Sequence, residues 1–295
     1  MVNYRPPDQD WKVKRTTMPH PFTDNPQLLW KVPAYLPYVQ SKLTREIVAD
    51  AEQKLKVKLP EAYLNILRVQ NGGTLRYELP DSVLEKIYGI GTRPPSITTA
   101  YVSEEWGEVS YEIDGLVPID GDGHWHICLD YRNGPVNPPV TYVDIECDSQ
   151  NTIAKTFDDF LEMLTPTRPD YQFILLGLKT ITRLRKAIET NVGHKFGRAS
   201  SKQYGYKRYS VRDNHEPGKR CIWMSSNLCR RGFVPRNSHY FDELKDVFPE
   251  DAVRLPDCPE EAIFASATLE WLPALKQCCE ELKLEMISMD NFEPA

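Results

Sequence analysis

A chain of 295 residues with 41% hydrophobic and 26% charged side chains has the composition of a globular protein and the length of two ordinary domains. No stretch approaches the ~18 uncharged apolar residues that cross a bilayer, and the charged N-terminal segment lacks the apolar run of a secretory signal. The net charge of −6 conceals an asymmetry: residues 1–165 carry 24 acidic and 16 basic side chains, whereas residues 166–295 carry 18 and 20.

The first thirty or so residues are rich in proline and polar side chains and read as an irregular arm that lies on the first domain through Trp11, Phe22 and Trp30. A helix follows. Thr44 is placed to cap it, because its hydroxyl accepts from a backbone N–H left unpaired in the first turn. Leu43 and Val48 occupy the positions of a hydrophobic staple, and Ile47, Val48, Ala51 and Leu55 recur at helical spacing. In "LPEAYLNILRVQNGG" Pro60 begins a second helix, with Tyr63, Leu64, Ile66 and Leu67 on its buried face. Asn71, Gly72 and Gly73 stop it, since these residues tolerate positive φ.

From about 75 to 146 the pattern changes to short strands. "TLRYEL", "GLVPI", "HWHICLDY" and "VTYVDIE" are β-rich, and "GIGTRPPS", "GDG" and "RNGPVNPP" between them are turn chemistry. "TIAKTFDDFLEML" returns to helix, with Thr152 or Thr156 as its cap and Ile153, Phe157, Phe160, Leu161 and Leu164 on one face. "TPTRPD" (165–170) marks a boundary. Beyond it come a helix over roughly 178–191 built on Ile181, Leu184 and Ile188, and a basic β-rich stretch over 195–236. A helix starting at Pro273 and a final strand "LEMISM" complete the chain.

Residues 124–131 pose a chemical question. Alternation sets His124, His126, Cys128 and Asp130 on one face and Trp125, Ile127, Leu129 and Tyr131 on the other. The first set is rich in metal ligands. On a straight strand, however, His124 and Cys128 stand about 13 Å apart, too far for one ion with bonds near 2 Å. The second set suits a core. A structural strand is therefore the stronger reading, and no metal or other cofactor is expected. The sequence contains no P-loop, dinucleotide fingerprint, nucleophile elbow or H-E-x-x-H. Its seven cysteines are scattered without a C-x-x-C pair, which fits reduced thiols in a cytoplasm. Cys278 and Cys279 lie within a predicted helix, where packing is the ordinary role.

The segments from "LPEAY" and "NGG" through "SEEWG", "LVPIDGDG", "ICLDYR" and "PPVTYVDIE" to "TFDDFLEML" resemble, in this order, the SUKH superfamily over roughly residues 28–165. The resemblance implies an α+β domain: N-terminal helices, a curved, mostly antiparallel sheet and a closing helix. A second α+β domain of unrecognised type would follow over 170–295, with residues 1–27 as the arm. It also implies a function. Many bacterial members are immunity proteins that bind a cognate polymorphic toxin, often a nuclease or deaminase, and block it without catalysis. A fungal branch regulates cell-wall synthesis through protein contacts.

Two surfaces follow from charge. Glu104, Glu105, Trp106 and Glu108, with Asp120, Asp122 and Trp125, form an acidic set with aromatic anchors. Such a face would steer toward a basic toxin domain, although many charge runs are simply solvated. In the second half, Lys202, Lys207, Arg208, Arg212, Arg230 and Arg231 are interleaved with tyrosines and tryptophan. This pattern fits an acidic or nucleic-acid partner, and equally a sheet strand with its cations turned outward. The leading expectation is a non-enzymatic cytoplasmic protein that occludes a toxin. The alternative is a nucleic-acid-associated or regulatory scaffold protein acting through the basic second half.

Overall fold

The computed structural model describes residues 22, 25–80, 82–100, 109–167, 171–177, 180–199, 205–213, 220–247, 252–254 and 258–291. The chain divides into two compact units. One comprises residues 1–31 and 38–167, the other residues 32–37 and 168–295. Both are α+β, as expected from the order of elements.

In the first unit, helix α1 spans Arg45–Leu55 and α2 spans Glu61–Val69. The Thr44 hydroxyl accepts from the Ile47 N–H at 3.3 Å, which confirms the cap. Helix α2 ends where Gly72 and Gly73 take φ values of +87° and +143°. A Cβ on Gly72 would lie 2.5 Å from the Gly89 nitrogen, so close approach as well as torsion requires glycine there. Asn71 beside it is buried. Its amide donates to the Ser41 and Ile90 carbonyls at 2.6 and 2.8 Å and accepts from the Ile90 N–H at 2.8 Å.

Four antiparallel strands form the main sheet in the order β1-β2-β3-β4: Leu116–Gly121, Trp125–Asp130, Val140–Asp144 and Ser149–Ala154. The closing helix α3 is shorter than expected. It starts at Phe157, and Thr156 accepts from the Asp159 N–H at 3.0 Å. Residues 149–154, partly assigned to that helix from sequence, instead pair with β3, which satisfies their backbone groups in a ladder. The expected strand over 74–79 is also divided. Gly73–Thr74 pairs with Lys86–Ile87, and Tyr77–Glu78 pairs with Thr165–Pro166.

One sheet face builds the core. Ile119, Ile127, Leu129 and Val140 pack there with Tyr63 and Leu67 of α2, Phe157 and Phe160 of α3, and Trp30. Phe22 joins this core, its ring centroid 4.7 Å from that of Tyr77 in an edge-on contact. Trp11 lies outside the described residues. The opposite face carries a smaller cluster of Leu116, Cys128 and Val143, flanked by Tyr111, Ile113 and Ile145.

The second unit has strands β5 (Phe173–Leu176), β6 (Tyr209–Arg212), β7 (Cys221–Ser226), β8 (Ile263–Ala267) and β9 (Glu285–Ser288), with helices α4 (Ile181–Val192) and α5 (Leu272–Leu282). The sheet order is β6-β7-β8-β5-β9, with every adjacent pair antiparallel. β8 separates β5 from β7, and β5 separates β8 from β9. Each separated pair runs in one direction and is joined through a chain segment containing a helix. This is a double split β-α-β arrangement of ferredoxin-like topology, extended at one edge by β6.

Leu184 and Ile188 of α4 and Leu275, Cys278 and Cys279 of α5 cover one sheet face, packing on Leu175, Val211, Ile222, Met224 and Ala265. Residues 32–37 also belong to this unit, where Ala34–Tyr35 pairs in parallel with Gly232–Phe233.

Candidate interaction site

The β1–β2 turn (121–124) and the β3–β4 turn (145–148) lie at the same end of the first sheet. Trp125 is paired with Asp144, and the Ile145 N–H donates to the His124 carbonyl at 2.8 Å. The two turns therefore bring together Asp122, His124, Asp144, Glu146 and Asp148, residues up to 26 apart in the chain. Asp122 is exposed and caps its own turn, accepting from the His124 and Trp125 N–H groups at 2.9 and 3.3 Å. Partial burial pushes its carboxyl up, but these N–H donors outweigh that effect and hold it below the usual range.

His124 Nδ1 lies 2.8 Å from Glu146 Oε1 across the two turns. Asp144 accepts from the Cys147 N–H at 2.8 Å, and Asp148 from the Ser110 N–H at 2.6 Å. Alongside, the Trp125 and Tyr142 rings stack with centroids 6.1 Å apart and planes 18° from parallel, both half-buried. The result is an acidic rim beside a rigid aromatic pair.

Only part of this site was anticipated. Asp122 and Trp125 belong to it. Glu104, Glu105, Trp106 and Glu108 lie outside the described residues. Asp120 does not belong to any accessible surface, because its side chain has no solvent exposure. A bulge between Pro118 and Asp120 shifts the register of β1 against β2. Asp120 Oδ1 then lies 2.9 Å from Lys86 Nζ and accepts from the Gly121 N–H at 2.7 Å, while Oδ2 accepts from the Glu85 N–H at 3.1 Å. Lys86 lies over the Tyr38 and Tyr88 rings at 5.6 and 5.8 Å from their centroids. Asp144, Glu146, Asp148 and Tyr142 were missed, although the acid-rich "DIECD" was a visible signal.

The strand with the ligand-rich face is resolved residue by residue. His124 is exposed on the rim, whereas His126 and Cys128 are buried. Burial depresses His126 to about 4 and pushes the Cys128 thiol well up. A Cβ on Gly121 would collide with the His126 ring, so the glycine of the turn is what admits the imidazole. Asp130 forms a two-point pair with Arg132, with Nε–Oδ1 at 2.8 Å and Nη2–Oδ2 at 2.5 Å, and accepts from Thr141 at 3.0 Å. Among the described residues, no group of three or more His, Cys, Asp and Glu side chains is placed to hold a metal ion.

Of the basic set in the second unit, Lys202 lies outside the described residues. Lys207 and Arg212 are exposed, and Arg208 lies with its guanidinium carbon 4.9 Å from the Trp223 ring centroid. Arg230 and Arg231 are exposed further along, where the Arg230 N–H donates to the Gly205 carbonyl at 3.0 Å.

The first unit thus has helices on one sheet face and a charged, aromatic end to the sheet. Residues 42–163 match the model of the SMI1 / KNR4 family (SUKH-1), so this segment is a SUKH-type domain. That family includes immunity proteins, and its domains are in general binding modules without enzymatic activity, working through protein partners. No curated protein matches the chain. Among the described residues, no helix is long and apolar enough to cross a membrane.

Proposed function

We propose that this protein is an immunity-type binder in which the domain over residues 28–165 neutralises a cognate toxin, a basic nuclease or deaminase, by non-covalent occlusion in the cytoplasm. The observation that carries this reading is the rim of Asp122, Asp144, Glu146 and Asp148 beside the stacked Trp125 and Tyr142. Acidic groups attract a phosphate-binding enzyme over long range and accelerate encounter. A rigid aromatic pair gives a close-range anchor of the kind that dominates interface energetics. Occlusion needs only a stable interface, typically burying ~1,200–2,000 Å² in total, and no bond is made or broken.

The test has two stages. Tagged full-length protein recovers its partner from the native cell, and the rim variant Asp122→Lys/Glu146→Lys/Asp148→Lys is used in parallel. Co-expression with the recovered protein then reads growth. Protection by the wild type but not by the rim variant supports the proposal. A partner with no toxicity, or equal protection by both, overturns it.

A further inference from the structure

In the second unit α4 and α5 pack on one sheet face; the other carries a smaller buried cluster of Ile174, Ala262 and Phe264, and among the described residues no α-helix packs on it beside β6 and β7. On β7, Ile222 and Met224 point into the helical core, which turns Trp223 to the opposite face. The register of β6 against β7 places Ser210 opposite Trp223 and Arg212 opposite Cys221. Val211 is in the helical core, so Ser210 and Arg212 share the face of Trp223. Arg208 lies over the Trp223 ring at 4.9 Å.

Next along this face, Ser225 donates to the Tyr171 hydroxyl at 2.8 Å, and Tyr206 hydrogen-bonds with Tyr171. Tyr171 in turn packs on Phe264, with ring centroids 5.3 Å apart. Trp223, Tyr206 and Tyr171 all retain partial exposure. Arg212 is exposed on this same face.

We infer that this face is a binding site for single-stranded nucleic acid. Two features select that ligand. The guanidinium groups of Arg208 and Arg212 are complementary to a phosphodiester backbone. The partly exposed rings set among those cations form a platform for bases, as antiparallel sheets do when they stack unpaired bases on aromatic and guanidinium planes. An acidic protein segment would use the cations and leave the aromatic surface without a role. A duplex keeps its bases stacked internally and has none to offer. This inference concerns the second unit and does not rest on the acidic rim of the first.

The experiment is fluorescence anisotropy of fluorescein-labelled oligo(dT) and oligo(rU) with the full-length protein, at low and physiological (~0.15 M) salt. Saturable binding is expected, weakening as salt rises and stronger for single strands than for a duplex of equal length. Trp223→Ala should weaken binding about ten- to a hundredfold, while Trp223→Phe retains most of it. In the unmutated protein, a saturating unlabelled oligonucleotide should quench indole fluorescence, and Trp223→Phe should remove that quenching. The inference is overturned if no saturable binding occurs at low salt, or if no quenching accompanies it. Equal affinity for duplex also overturns it. So does displacement of the oligonucleotide by poly-glutamate at equal charge concentration, which assigns the face to an acidic protein.

Discussion

Lys86 and Asp120 form an ion pair inside the SUKH-type domain: Nζ and Oδ1 are 2.9 Å apart, the carboxylate has no solvent exposure and the lysine side chain retains 12%. Three backbone N–H groups, of Glu85, Lys86 and Gly121, also donate to the carboxylate, and the ammonium rests against two tyrosine rings. Removing one partner leaves a buried charge without its counter-ion. Lys86→Met should cost about 3–5 kcal/mol, and the double variant Lys86→Met/Asp120→Asn should recover a large part of that. Urea denaturation of the four members of this cycle measures it. Equal stability of Lys86→Met and wild type would show that the pair contributes nothing.

His126 sets a pH dependence. Burial lowers its folded pKa to about 4, whereas an unfolded histidine titrates near 6.5. Between these values the unfolded chain binds a proton that the folded chain does not. Stability from this group is therefore fully present above pH ~6.5 and falls as pH drops toward ~4, by on the order of 2–3 kcal/mol. His126→Gln should flatten that part of the profile in denaturation midpoints taken across the range.

Asn71 ties the end of α2 to the segments around Ser41 and Ile90 through three hydrogen bonds of 2.6 to 2.8 Å. Asn71→Ala leaves the Ile90 N–H and C=O groups without these partners in a buried setting. A loss of about 2–4 kcal/mol is expected, read as a drop in melting temperature. Asn71→Asp should also destabilise, because a carboxylate cannot donate to the two carbonyls.

If the acidic rim steers a basic partner, the association rate in stopped flow should fall steeply with added salt, while dissociation changes little. Glu146→Lys/Asp148→Lys should slow association about tenfold or more at low salt and flatten the salt dependence. Salt-independent association by the wild type would refute the electrostatic part of the mechanism.

The thiols divide by access. Cys147 is exposed in the β3–β4 turn, whereas Cys128, Cys221, Cys229, Cys278 and Cys279 are buried. Asp144 beside Cys147, with a small burial effect, raises its pKa. Burial, assisted by neighbouring charge, pushes Cys278 and Cys279 to about 11 and 12. An aromatic disulfide reagent should therefore modify Cys147 well before these buried thiols in the native protein, and accelerate as pH rises. Cys147→Ser should remove that early reaction.

Local chemistry made the helices legible. A cap at Thr44, a stop at Asn71–Gly73 and apolar residues at helical spacing act within a turn or two, so they can be read from neighbouring residues alone. The alternation at 125–131 was legible for the same reason, and Ile127, Leu129 and Tyr131 do enter the core. The series of short motifs over the first half was enough to mark a SUKH-type domain.

Pairing between distant segments decided the rest. The polar "SQNT" carries no apolar alternation and became a strand only because β3 offers it a ladder. Asp120 and Asp122 look alike in "DGD", yet a bulge and the buried Lys86 draw the first inside while the turn leaves the second in water. The acidic rim and the Arg208–Trp223 stack each join residues that are separate in the chain. Such neighbours are set by which distant segments pair and by where a bulge shifts their register, and these depend on contacts that form only in the folded chain.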